Sequence, residues 1–122
     1  MKIGDTLFNL HPSSPRHLWV LAAGPTDEAE FVMFNLTSMR DGCDKSCVIQ
    51  PGEHVHVHHP TVVAYMRGQI VTDTFLQSLG SLCSWQQPVS QPLLERIQQG
   101  ALDSYFTKQR QQAMVRRFLV GC

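Results

Sequence analysis

The chain changes its hydrophobic period about two thirds of the way along. In the first part, apolar residues form short runs separated by turn-forming residues, which is typical of β-strands. In the last third they recur three or four positions apart, which is typical of amphipathic helices. Strands followed by helices predict one α+β domain over residues 1–122, with strands at about 5–72 and helices at about 73–119.

Two continuous apolar runs, at residues 17–23 and 31–36, predict strands that are buried on both faces. The turn-forming residues 24–27 between them predict a hairpin. The other predicted strands lie at residues 6–10, 47–49, 61–66 and 69–72. We expect these segments to form a small, curled antiparallel sheet with the helices packed at one side.

Three helices are predicted after residue 72. The first has Asp73 as its N-cap, ends at Gly80 and buries Phe75, Leu76 and Leu79. The second has Ser90 as its N-cap and Pro92 in its first turn, and its apolar stripe is Leu93, Leu94 and Ile97, with Gly100 just past its end. The third covers residues 107–119 and buries Ala113, Met114 and Phe118.

The composition is that of a folded protein, with 43% apolar and 16% charged residues. Ten basic and ten acidic residues cancel, so the net charge excludes no class of partner. Four basic residues and no acidic residue follow residue 107, namely Lys108, Arg110, Arg116 and Arg117. They predict either a solvated helix face or a surface that meets phosphate or an acidic partner.

No apolar stretch reaches the roughly 18 residues of a membrane span, and the N-terminus lacks the apolar region of a signal peptide. These features predict a cytoplasmic protein without a membrane partner. The cysteines are not spaced as in a zinc knuckle, and all four are predicted to be free thiols: Cys43, Cys47, Cys83 and Cys122.

Four of the six histidines lie between residues 54 and 59. If this run is extended, alternation puts His54, His56 and His58 on one face. Three imidazoles on one face could bind a transition metal. The segment superficially resembles the first motif of the cupin barrels, but no glutamate follows in residues 61–65 and no histidine follows His59. A metal site at His54, His56 and His58 is therefore the alternative interpretation.

The chain also carries the groups that metal-free RNA cleavage needs. One group must remove the proton of the 2′-hydroxyl, another must protonate the leaving oxygen, and a third must stabilise the charge on phosphorus. Side chains of these types lie near predicted strand ends: Arg16, His17, Thr37, Ser38, the histidines 54–59 and Tyr65. Each also has a structural interpretation, since hydroxyls at strand ends bond to the backbone and tyrosines pack in cores.

The order of these segments resembles the PemK/MazF-like toxin superfamily. The matching segments are Gly4-Asp5-Thr6-Leu7-Phe8, Arg16-His17-Leu18-Trp19-Val20-Leu21 and Val32-Met33-Phe34-Asn35-Leu36-Thr37-Ser38. A divergent branch of PemK-like proteins is more similar still. Its motifs read here as Asn35-Leu36-Thr37, Cys47-Val48-Ile49, Gly52-Glu53-His54, His59 and Val63-Ala64-Tyr65, and residues 93–102 look like its C-terminal helix.

The resemblance covers about residues 4–105 and implies a small SH3-like antiparallel β-barrel with C-terminal helices. It also implies a metal-independent endoribonuclease of a toxin–antitoxin system, which cleaves single-stranded RNA without a cofactor. Homodimerisation and inhibition by a cognate antitoxin protein follow from it as well. Arg16, Thr37 and Ser38 match the superfamily's catalytic positions, whereas His54, His59 and Tyr65 match the divergent branch alone.

We therefore predict that the catalytic residues are Arg16, Thr37, Ser38, His54 and His59. The residues predicted to bind substrate are His17, Tyr65 and Arg67. Two other hypotheses stay open: a non-catalytic binding module on the same barrel, and a metal-binding protein that uses the histidine run. Nuclease activity requires Arg16, Thr37 and a histidine to converge, whereas the metal site requires three histidines to point at one ion.

Overall fold

The apolar runs of the first part form strands, and the structure, a computed structural model, describes residues 1–10 and 16–121. The strands are β1 (Thr6–Asn9), β2 (Leu18–Ala23), β3 (Glu30–Ser38), β4 (Val48–Ile49), β5 (Thr61–Thr72) and β6 (Cys83–Gln86). The helices are α1 (Asp73–Ser78), α2 (Gln91–Asp103) and α3 (Gln109–Arg117), with a 3₁₀ turn at Gly80–Leu82. The chain is thus an α+β protein, as its pattern predicts.

The six strands form one antiparallel sheet in the order β4-β5-β3-β2-β1-β6. β2 and β3 form the predicted hairpin, with Val20 opposite Phe34 and Leu18 opposite Leu36. The sheet is open: β4 and β6 are its edges, and no ladder joins them within the described residues. The two predicted strands at 61–66 and 69–72 are one strand, β5, whose pairing with β3 shifts register between Met33 and Asn35.

Both faces of the central strands are buried, as their continuous apolar sequence predicts. The larger core lies between one face of the sheet and the helices α2 and α3, and it contains Val20, Phe34, Ile97 and Val115. The smaller core lies on the other face, where Leu76 of α1 packs with Leu7, Leu21, Phe31, Met33 and Val71. The helices therefore pack on both faces, and the expectation that they lie at one side is wrong.

The helix ends differ in detail from the prediction. Thr72, and not Asp73, caps α1, because its Oγ1 accepts a hydrogen bond of 3.0 Å from the Phe75 N–H. Phe75 is 47% exposed, so Leu76 alone anchors this helix deeply. Ser90 caps α2 as predicted, since its Oγ accepts from the Leu93 N–H at 3.3 Å.

Two predictions about the later helices are wrong. Gly100 lies inside α2, which continues to Asp103, because the glycine packs beneath a buried tyrosine and does not end the helix. Ala113 is exposed, and Val115 takes the buried position beside Met114 in α3.

No helix of the described chain is long and apolar enough to cross a membrane. Cys43, Cys47 and Cys83 are free thiols, as predicted, and Cys122 lies outside the described residues.

Candidate functional site

The antiparallel order brings four strand ends to one end of the sheet. Phe8 near the end of β1 pairs with Leu18 at the start of β2, and Leu18 pairs with Leu36 near the end of β3. Ser38, which ends β3, pairs with Thr61 at the start of β5. Residues that flank these ends in sequence must therefore gather at the same place, which is why Arg16 lies near the Thr37-Ser38 strand end.

A cleft of about 280 Å³ opens at this end of the sheet. Its second wall is the segment of residues 50–60, which we call the histidine loop. The residues that line the cleft are Phe8, Arg16, His17, Leu18, Leu36, Thr37, Ser38, Arg40, His56, Val57, His59 and Thr61. Five of the predicted site residues are thus brought together: Arg16, His17, Thr37, Ser38 and His59.

The cleft has the charge pattern of an anion site. Two arginines, three histidines and three hydroxyl side chains line it, and none of the described residues that line it is a carboxylate. Arg16, Arg40 and His59 have exposed side chains, so a ligand that enters the cleft can reach them. Guanidinium groups match the oxygens of phosphate with paired hydrogen bonds, which makes a phosphate ester a chemically suited ligand.

Ser38 and His59 are in direct polar contact in the cleft. Ser38 Oγ lies 2.7 Å from His59 Nε2. This contact fixes the ring of an exposed histidine, because a second group holds one of its nitrogens. A histidine held in this way can present its other nitrogen to a substrate in one orientation.

Arg16 and His56 pack on the same aromatic side chain. The Arg16 guanidinium carbon lies 4.6 Å from the centre of the Phe8 ring, and the His56 ring meets Phe8 edge-on at 4.8 Å. His56 Nε2 also donates to the Gln86 amide oxygen at 2.7 Å. Phe8 therefore orients both a cation and an imidazole at the cleft, since cation–π packing restricts a flexible arginine.

His54 does not line the cleft and is 5% exposed. Its Nε2 lies 2.6 Å from the carbonyl oxygen of Gln87, which can only accept, so Nε2 carries the proton. Its Nδ1 accepts from the His56 N–H at 3.2 Å. Nε2 thus holds the histidine loop against the chain that follows β6, whereas Nδ1 bonds within the loop itself.

The histidine run is not extended, so the expected common face of His54, His56 and His58 does not form. Two turns fold the loop, with the Glu53 N–H bonded to the Gln50 carbonyl and the Val57 N–H bonded to the His54 carbonyl. Gly52 has φ of +92°, which breaks the alternation. Across the described residues, no three His, Cys, Asp or Glu side chains are grouped so that they could hold a metal ion. The metal alternative therefore has no geometric support.

The predicted substrate residues Tyr65 and Arg67 lie outside the cleft. Tyr65 is fully buried, and its hydroxyl donates to the Ile97 carbonyl at 2.6 Å. Burial, together with the nearby Cys47, raises the pKa of Tyr65 well above its ordinary value of 10.0. Tyr65 therefore joins β5 to α2 as a neutral phenol. Arg67 is exposed and lines a second cavity, to which His17 also contributes.

Two cleft residues are absent from the predicted catalytic set. Arg40 follows Ser38 by two positions, and its place just after a strand end was a signal that could have included it. His56 belongs to the histidine run considered for acid–base chemistry, but the predicted site includes it only in the alternative metal set, because the extended interpretation placed it beside His54. The folded loop instead turns it toward Phe8.

Comparison with known proteins gives no further assignment. No protein-family model, no curated protein and no solved structure matches the chain.

The histidine loop is also fixed from its outer side by an ion pair. Arg96 of α2 contacts both carboxylate oxygens of Glu53 and donates to the Val48 carbonyl. The Arg96 hydrogen bond, together with the Gln50 N–H, holds the pKa of Glu53 below its ordinary value of 4.5. Because the pKa of this carboxyl is lower in the folded state, its ionised form stabilises the fold at pH values above its ordinary pKa. This contribution to stability is lost as the pH falls through the folded-state pKa.

We expect Glu53→Gln to lower the free energy of unfolding at pH 7 by about 0.5–1 kcal/mol, because the pair is partly exposed and screened by solvent. The deficit relative to the native protein should shrink as the pH falls below about 4. Urea denaturation at pH 7 and pH 3.5 measures both values. Glu28→Gln, at an exposed position, is the control, and a Glu53→Gln deficit of the same size at both pH values would contradict the assigned role.

Proposed function

We propose that the protein is a toxin-like, metal-independent endoribonuclease that cleaves single-stranded RNA, of the PemK/MazF-like type. The observation that supports this proposal best is the convergence of Arg16, Thr37, Ser38 and His59 on one cleft, whose described lining residues include no carboxylate. These residues come from three separate parts of the sequence. A nuclease requires these groups to lie together. The structural interpretations, a surface arginine and a strand-end hydroxyl that bonds to the backbone, do not require it.

The proposal includes an SH3-like barrel, and the contacts of the histidine loop support it. The loop follows the edge strand β4, and its histidines bond to residues at the end of the opposite edge strand β6. His54 bonds to the Gln87 carbonyl and His56 bonds to the Gln86 side chain. Thr6 also donates to the Gln87 carbonyl at 2.7 Å. These bonds tie the segment after β4 to the end of β6, and such a link between the two sides of the open sheet supports the proposed barrel.

In the proposed mechanism the arginines bind the scissile phosphate. Arg16, restrained by Phe8, and Arg40 donate to the non-bridging oxygens and offset the charge that grows on them in the phosphorane transition state. The hydroxyl of Thr37 lies in the same cleft and donates to the same group. The absence of carboxylates from the described lining residues keeps this region free of repulsion toward the RNA backbone.

His59 acts as the general base. Ser38 Oγ lies 2.7 Å from His59 Nε2. The mechanism uses the tautomer in which Nε2 donates to Ser38 Oγ, so that Nδ1 has the lone pair that removes the proton of the ribose 2′-hydroxyl. The 2′-oxygen then forms a bond to phosphorus while the bond from phosphorus to the 5′-oxygen breaks. His56, as the protonated acid, delivers a proton to that oxygen. The products are a 2′,3′-cyclic phosphate and a 5′-hydroxyl.

The proposal also assigns a substrate, a cellular location and partners. Its substrate is RNA, it uses no cofactor, and its location is the cytoplasm, where RNA is available. The resemblance on which it rests adds a homodimer and a cognate antitoxin. A basic cleft suits an acidic antitoxin segment, since such a segment would compete with RNA phosphates for Arg16 and Arg40.

Digestion of a mixed RNA pool with and without a chelator, with sequencing of the new ends, tests the proposal. We expect discrete cuts that survive the chelator and leave cyclic phosphates. Arg16→Ala should lower the cleavage rate about 10²-fold, since one donor to the transition-state charge is lost. Arg116→Ala, an exposed site on α3 with the same change of charge, is the control.

Three outcomes separate the hypotheses. Intact RNA that still binds to the protein, with binding weakened by Arg16→Ala, would favour the non-catalytic binding module. Cleavage that stops with the chelator would favour a metal-dependent enzyme. Equal cleavage by the native protein and by Arg16→Ala would contradict the assigned cleft.

A further inference from the structure

The two tryptophans of the chain lie on the same face of the sheet. Trp19 of β2 and Trp85 of β6 both stand directly opposite Leu7 of β1. Residues directly opposite each other in an antiparallel pair carry their side chains on one face. Because neighbouring strands lie about 4.8 Å apart, the backbones of the two tryptophans are about 10 Å apart. Two indole rings therefore form a row across β2, β1 and β6.

This row of tryptophans reaches solvent. Helix α1 packs over the neighbouring part of the same face, where Leu76 meets Leu21 and Met33. Trp85 is 41% exposed and Trp19 is half-buried, so each ring has a surface that another flat ring can contact. RNA-binding sheets hold two or three bases of a single strand by stacking them on aromatic side chains that are placed in this way.

Basic side chains lie beside Trp19. A cavity of about 520 Å³ has Trp19, His17, Arg67 and Lys108 among its lining residues, and none of the described residues that line it is a carboxylate. Arg67 and Lys108 are exposed. Lys108 Nζ lies 3.4 Å from the Gly68 carbonyl oxygen, which keeps its ammonium beside β5. Cations next to an aromatic ring match the phosphate and the base of a single-stranded nucleic acid.

The register shift between β3 and β5 brings one of these cations to the cavity. Residues 65–68 of β5 stand opposite the single residue Phe34 of β3. Extra residues of this kind bend a strand and re-aim its side chains. Arg67 belongs to the bulged segment and lines the same cavity as Trp19.

The tryptophan face is continuous with the cleft. His17 lines both the cleft and the cavity, and Trp19 follows it by two positions. A strand whose phosphate lies against Arg16 therefore passes His17 before it reaches Trp19. Trp85 lies two strands further across the sheet.

We propose that this face binds single-stranded RNA next to the cleft. One base stacks on Trp19, another stacks on Trp85, and Arg67 and Lys108 hold a phosphate beside the first. Because every base has a flat π-surface, stacking tolerates any sequence, and the face contributes affinity and a preference for single strands. A duplex keeps its bases stacked on one another. The inference rests on the proposed function for the identity of the strand as RNA, but stacking requires no cleavage.

Tryptophan fluorescence tests this face directly, since Trp19 and Trp85 are the chain's two tryptophans. The probe is a 2′-O-methyl oligouridine, which lacks the attacking hydroxyl and stays intact. We expect it to quench the emission of Trp85→Phe, which reports Trp19, and of Trp19→Phe, which reports Trp85. The same strand in a duplex with 2′-O-methyl oligoadenine should quench weakly. An unquenched tryptophan in either variant, or equal quenching by the duplex, would overturn the inference.

Affinity measurements separate stacking from charge, and they use exposed positions whose variants should fold. Trp85→Ala should weaken binding of the oligouridine about 5- to 100-fold, the contribution of one stacked base, and keep its salt dependence. Arg67→Ala should reduce the slope of log affinity against log salt concentration by about 0.7, the value for one phosphate of a single strand. Tyr105→Ala, a 94% exposed aromatic position in the turn after α2, is the control and should change neither quantity. Native affinity in Trp85→Ala would contradict the inference.

The two proposals can fail separately. Cleavage of ordinary RNA by the native protein, without quenching by the methylated strand, would leave the nuclease standing and remove the tryptophan face. Quenching without any cleavage would retain the face and remove the nuclease. Quenching by poly-L-glutamate and not by oligouridine would assign the face to an acidic protein segment and overturn RNA binding there.

Discussion

His59→Ala should lower the rate of RNA cleavage by about 10²–10⁴-fold, which is the contribution of a positioned general base. The ring of His59 lines the cleft and is held by Ser38, whose Oγ lies 2.7 Å from its Nε2. Because His59 is exposed, its loss should leave the melting temperature nearly unchanged. Initial rates on a single-site RNA substrate under single-turnover conditions measure the loss of the chemical step.

The adjacent histidine provides a matched control. His58 is exposed like His59, belongs to the same loop and does not line the cleft. His58→Ala should therefore cleave within about twofold of the native rate. Equal losses in the two variants would mean that the histidine loop acts through its fold or total charge, and His59 would then have no place in the chemistry.

Gly100→Ala should destabilise the protein by about 2 kcal/mol, although alanine normally favours a helix by about 1 kcal/mol over glycine. An added Cβ would overlap the Tyr65 hydroxyl oxygen and lie 2.9 Å from the Cys47 Cβ. Both neighbours are buried, so relief requires α2 to move away from β5. Urea denaturation measures the change, and Gln99→Ala, on the exposed face of the same helix turn, should stay within about 0.5 kcal/mol of the native value.

The double variant shows whether the tyrosine hydroxyl causes this loss. Tyr65→Phe alone removes the buried bond to the Ile97 carbonyl and should cost about 1–2 kcal/mol. It also removes the atom that the new methyl group would meet, so the two changes together should cost less than their sum. Strict additivity would place the strain elsewhere, at Cys47 or in the helix backbone.

The sequence was sufficient for the elements whose signals are local. The apolar runs of β2 and β3 predict strands that are buried on both faces, and the two cores on opposite faces confirm this. The Ser90 cap of α2 follows from one side chain and its spacing. The same local signals failed for β6 (Cys83–Gln86), because this half-polar edge strand forms through its pairing with β1.

Gly100 and the histidine run show why the remaining elements could not be predicted. A glycine after an apolar stripe normally ends a helix, but here the position must be glycine because Tyr65 packs against it from a distant strand. The histidines alternate with valines as in a strand, yet His54 bonds to Gln87, which is 33 residues away. Both outcomes depend on partners that no window of sequence contains.

Part of the candidate site could be predicted, because its residues lie at the ends of strands. Arg16, Thr37 and Ser38 lie at strand ends, and antiparallel pairing brings such ends together. The choice among the histidines was beyond the sequence, because the two turns of the loop decide which rings line the cleft.

The central claim is that the cleft cleaves RNA through the substrate's own 2′-hydroxyl, without a metal. The most direct test uses an RNA oligonucleotide with one cut site and a copy in which the nucleotide before that site is 2′-deoxy, both in the presence of a chelator. The claim predicts that the all-RNA strand is cut to a 2′,3′-cyclic phosphate, whereas the substituted strand binds equally and stays intact. Cleavage of the substituted strand at the same bond, or no cleavage of either strand, would contradict it.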